Sequence, residues 1–139
     1  MVETAIVLLI VVMFIIGAMV GGLGVFRYIQ VASLAREGGR YAIVRGTQYQ
    51  ADGKGTAATK TDVYDNAILP NAVGLDLSSL TYSVVWPNGN APVYANPSSS
   101  PPGQPIGTTV EVTVTYTWVP EAFFGGATMT SKSVMAMQY

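Results

Sequence analysis

The 139 residues include no cysteine and no histidine. Without thiols there is no disulfide framework, thiolate nucleophile or thiolate metal site. Without imidazole, the histidine bases and the common zinc ligand sets are also excluded. Charge is scarce: seven Lys and Arg against eight Asp and Glu, with no basic patch of the kind that nucleic-acid binding needs. Nucleic acid is therefore set aside as a partner. Asp52, Asp62, Asp65 and Asp76 lack the spacing of a calcium loop, and no P-loop or dinucleotide fingerprint follows a strand. The chain reads as a non-enzyme that needs neither cofactor nor metal.

What the chain does hold is one long apolar run. Thr4 to Phe26 carries no charge, and at 1.5 Å per helical residue its 23 positions reach about 35 Å, enough to cross a hydrocarbon layer of roughly 30 Å. Its length excludes a strand, so it is a helix, either a membrane anchor or the core of an assembly. Gly17, Gly21, Gly22 and Gly24 fall within eight residues, each costing about 0.8 to 1 kcal/mol relative to Ala in a helix interior. A break or kink is expected there. Gly17 and Gly21 also have the spacing that lets two helices approach closely, although glycine is simply common in membrane helices too. No Lys or Arg precedes the run, unlike a secretory signal, so a segment upstream is expected. With Met1 as the true start, Arg27, Arg36, Arg40 and Arg45 would hold the C-terminal side in the cytoplasm; a basic leader would reverse that.

From Arg27 the pattern turns amphipathic, which extends the helix over residues 1–46, with 1–26 as membrane or filament core and 27–46 amphipathic. Glu37 can offset Arg40 along the surface, and Gly46 is placed to cap the end after Arg45. Up to Gly46, four Arg outweigh Glu3 and Glu37 to give +2, whereas the remainder carries three Lys against six acids, giving −3. The two parts suit different surroundings. Residues 47–139 are long enough for one small domain. Its reading is a polar loop from Thr47 to Lys60 and a short helix near 61–69, N-capped by Thr59 or Thr61. Alternating strands follow near 80–86 and 108–118, with a less regular one near 128–138, where Ser131 and Ser133 share a parity with Met129 and Met135. The segment 87–106 holds six of the eight prolines and is expected to be an exposed loop that contributes little to assembly.

VETAIVLLIVVMFIIG, followed by ASLAREGGRYA, resembles the TadE-like proteins of the tight-adherence (Tad) type IV pilus system. Ala35, Arg36, Glu37, Gly38, Arg40, Tyr41 and Ala42 fit the family's pattern, with Gly39 where the family commonly has Ala. VEVTVTYTWVP and the final SVMAMQY look like its terminal hairpin. The resemblance implies a pilin-like α+β fold: a long N-terminal hydrophobic helix, then a small domain with an antiparallel sheet of about three strands.

It also implies processing by a prepilin peptidase and passage through an inner-membrane assembly machine to the cell surface. The family acid that registers subunits stands at the fifth position of the mature chain. Glu3 is two residues early, so either the mature end lies two residues upstream of Met1 or this chain departs from the rule. The functional expectation is a filament subunit that polymerises with itself through its apolar helices, with Glu3, Gly17, Gly21, Gly22 and Gly24 as assembly residues. The alternative is a minor pseudopilin or a tethered assembly or adhesion factor.

Overall fold

In the computed structural model, residues 2–90, 109–120 and 125–138 are described, the side chains of Val2 and Gln48 excepted. The proline-rich segment lies almost wholly outside them. Helix α1 runs from Val2 to Val44 without interruption. The expected break at the glycines is therefore corrected: Gly17, Gly21, Gly22 and Gly24 are all helical. A penalty near 1 kcal/mol per glycine is too small to open a helix whose backbone groups have no better partners in an apolar setting.

The chain after α1 departs from the expected loop by forming a short helix α2, Thr47–Ala51. It sits where the backbone folds back: Ala58 N–H donates to the Arg45 carbonyl at 2.7 Å and Thr47 N–H to the Asn90 carbonyl at 2.9 Å. Helix α3, Lys60–Val63, starts at a capping box in which Asp62 N–H donates to Thr59 Oγ1 and Thr59 N–H donates to the Asp62 carboxylate. It widens into a π-turn at Tyr64–Ile68 and tightens to 3-10 at Leu69–Asn71, with Pro70 at its start.

Strands β1 (Leu80–Val85), β2 (Thr109–Trp118) and β3 (Ala127–Ala136) form an antiparallel sheet in the order β1-β2-β3. Alternation along β2 puts Val110, Val112, Val114 and Tyr116 on the inner face, all buried. Against this face lies the second half of α1, through Val31, Leu34, Ala35 and Ala42, all essentially inaccessible, with Val63 and Ile68 closing the side. The architecture is α+β: a long apolar helix, then a small three-stranded antiparallel domain that packs on the helix's own continuation.

Two glycines let helix and sheet meet this closely. A Cβ on Gly38 would stand 3.0 Å from Val112 Cγ1, and one on Gly39 would stand 3.1 Å from Met135 Sδ and 3.3 Å from Ser133 Oγ. Of the serines that interrupt the apolar alternation of β3, Ser133 thus lies at this close approach. Ser133 faces the helix at Gly39 and is nearly buried there.

Candidate assembly surface

The same helix has two environments. From Val31 it is the spine of the domain core, whereas Ile6 to Ile16 and Met19 are exposed, Phe14 to 80%. This first part is long and apolar enough to cross a membrane, and none of its most apolar stretch is buried within the chain. So large an apolar surface marks a site of contact with lipid or protein. Glu3, exposed in the first turn of α1, is the only charge in the helix before Arg27, and none of the described cations pairs with it.

The glycines divide by environment. A Cβ on Gly17, Gly21 or Gly22 would meet nothing within 4 Å; Gly17 and Gly21, four residues apart, leave a shallow, unfilled strip on one face, with Gly22 about 100° around from it. Gly24 belongs to the domain instead: its Cβ would stand 3.1 Å from Trp118 Cζ3. Of the four closely spaced glycines, the structure thus separates Gly24 from the other three.

At the root of the exposed segment, Arg27 Nη1 donates to the Gly74 carbonyl and Gln30 Nε2 to the Val73 carbonyl at 3.2 Å. These contacts tie the turn before β1 to the helix, and no sequence signal pointed to them, since the acceptors are backbone atoms 43 and 47 residues away. The ASLAREGGRYA stretch splits by face. Ala35, Gly38, Gly39 and Ala42 form the contact with the sheet, whereas Arg36 and Arg40 point outward and Glu37 lies 3.5 Å from Arg40. Tyr41 accepts from Arg45 Nη1 at 2.6 Å, and the Arg45 guanidinium lies 4.4 Å above its ring centroid, with Tyr49 5.8 Å away. This clamp holds the turn after α1, at the end where Arg45 and Gly46 were expected to close the helix.

Two carboxyl groups outside the apolar segment are held below their ordinary range. Hydrogen bonds from the Thr59 backbone and side chain lower Asp62, and those from the Ser78 hydroxyl and backbone lower Asp76. Both are capping acids at helical turns. Among the described residues no group of His, Cys, Asp and Glu could hold a metal ion.

An apolar helix free along its first half and built into a small sheet domain along its second is a pilin-like arrangement. The family model described as TadE-like protein matches residues 1–40, which takes in the whole exposed segment and the core-forming turns through Arg40. The N-terminal region is thus TadE-like, consistent with a protein of the Tad pilus; the sheet domain and the final hairpin lie beyond the match. No curated protein and no solved structure matches the chain significantly.

Proposed function

We propose that this protein is a structural subunit of a Tad-type pilus, held in the inner membrane by residues 3–26 before assembly and packed by the same residues into the filament core afterwards. The observation that carries the reading is the exposure of Ile6 to Ile16 beside the full burial of Val31, Leu34 and Ala35 on one continuous helix. Such a helix satisfies its own backbone, so lipid and neighbouring helices are interchangeable surroundings for it. The partners in this reading are further copies of the chain, the inner-membrane assembly machinery and a prepilin peptidase. The C-terminal domain coats the filament at the cell surface. The unfilled strip at Gly17 and Gly21 favours close helix packing, for which a simple anchor has no use.

The test is fractionation of producing cells. A filament subunit is shed as long particles that sediment without detergent. A chain that stays in the membrane fraction, with filaments present but built of another protein, is a minor pseudopilin or tethered factor instead.

A further inference from the structure

Resting on the reading that residues 3–26 cross a membrane, we propose that the lower rim of the sheet domain is itself a lipid-binding surface. Trp118 and Val119 seat this rim at the boundary between acyl chains and headgroups. The occupant is a phospholipid bilayer, and the depth follows from the helix. Glu3 and Arg27 bracket the apolar run and lie about 36 Å apart at 1.5 Å per residue, so each falls a few ångströms outside a hydrocarbon layer of about 30 Å. On that scale Gly24 stands about 13 Å from the midplane, just inside the edge of the layer. The ring of Trp118 is in contact with Gly24 and must share its depth.

The surroundings of Trp118 suit that depth. Val119, just past the end of the strand, is 70% exposed although it is apolar. Val73 is 73% exposed on the turn held by the Gln30 amide. Beside Val119 runs an open cleft of about 570 Å³, lined by Val20, Leu23, Arg27, Asp76, Trp118 and Val119 among others. Its apolar walls belong to the membrane side, and its two charged groups lie at the level of Arg27, where headgroups and water are available. Arg27 is held by the Gly74 carbonyl, and Asp76 is engaged by Ser78 and Ser79. An indole with its ring against apolar surface and an exposed aliphatic neighbour is what the interfacial layer favours. In consequence the domain does not swing freely above the bilayer but rests on it.

The chain has two tryptophans, which makes the test direct. Trp86 follows β1, whose last residue Val85 pairs with Glu111, seven residues and about 24 Å along β2 from Trp118. The full chain carrying Trp86→Phe or Trp118→Phe is reconstituted into phosphatidylcholine vesicles brominated either near the ester carbonyl or near the terminal methyl, and insertion is confirmed by flotation. In the Trp86→Phe protein, emission should fall by about half with the shallow bromines and less with the deep ones, as expected for an interfacial indole. In the Trp118→Phe protein it should be unchanged by either.

Flotation with Trp118 as insensitive as Trp86 overturns the rim contact while leaving the membrane-crossing helix standing. Failure to float overturns that helix and the rim contact with it. Because the chain has no native cysteine, a spin label at Val119→Cys gives a second reading independent of the tryptophan variants. It should be shielded from a water-soluble relaxation agent, and full access overturns the proposal.

Discussion

Single side chains decide whether α1 can do both of its tasks. Gly38→Ala gains about 1 kcal/mol of helix propensity but places a methyl 3.0 Å from Val112 Cγ1, on a stiff β-branched side chain of the central strand. Overpacking of this kind costs about 1 to 3 kcal/mol, so the variant should have a lower urea midpoint than the parent. Gly17→Ala is the opposite case. Its Cβ meets nothing in the monomer, so helicity and thermal midpoint should hold or rise, while filament yield falls if the strip is a helix contact. Unchanged filament yield would remove Gly17 from the assembly face. Glu3 carries the third test at this scale. Buried bare in a filament core, its carboxylate would cost several kcal/mol, so it must meet a cation there, the terminal ammonium of a chain being the nearest in kind. Glu3→Gln should still insert in membranes but form fewer filaments. A carboxylate moved one helical turn should restore them if charge at that depth is what matters. Normal assembly of Glu3→Gln would leave only a favourable end of the helix dipole, worth about 0.3 to 1 kcal/mol.

Among the elements, α3 is the one whose stability should respond to acid. Asp62 closes the capping box with Thr59, and its carboxyl titrates below the usual 3.8 because the bonds from Thr59 favour the ionised form. A group with a lowered folded-state pKa contributes its stability above the unfolded value, and that contribution is lost as pH falls from there through the folded value. Asp76 adds an effect of the same sign. The urea midpoint should therefore be flat near neutrality as far as these two groups are concerned and decline in acid below the ordinary carboxylate value. Asp62→Asn should make that acid decline shallower without abolishing it, since Asp76 remains. An equally steep decline in the variant would show that the cap does not couple to folding. The surface pair Glu37–Arg40, by contrast, is exposed at both ends and should add well under 1 kcal/mol.

Taken whole, the molecule joins a self-sufficient domain to a segment that depends on other molecules. The hydrophobic core begins at Val31 and draws on β1, β2, β3 and the turn at Val63–Ile68, with nothing from residues 3–19. A protein beginning at Arg27 should therefore fold, show cooperative unfolding and remain monomeric without detergent, as judged by circular dichroism and sedimentation. The full chain should require detergent, lipid or polymerisation. An unfolded truncation would mean that the contact between Gly24 and Trp118 contributes more to the domain than its position at the edge implies.

Elements with strong local periodicity were legible in the residues alone. The uncharged run Thr4–Phe26 specifies a helix by length, the strict alternation of Val110 to Tyr116 specifies a half-buried strand, and Glu3 stands out as an isolated charge, because each pattern is complete within a few neighbouring residues. The fold class, a long apolar helix followed by an antiparallel sheet, follows from these patterns and from the short path between successive strands. Other features depend on partners distant in sequence and carry no local mark. Gly38 and Gly39 are small because β2 and β3 approach there and Gly24 because Trp118 lies on it, while Ser133 is held on the inner face beside Gly39. Helix α2 forms in a polar stretch with no apolar period, in a segment bracketed by backbone bonds to Arg45 and Asn90. The sequence by itself determined which segment must leave water and which strands could form, since those depend on composition and period. Tertiary structure decided how closely helix and sheet meet and which glycines remain open for a neighbour, since steric room exists only once distant segments share a surface.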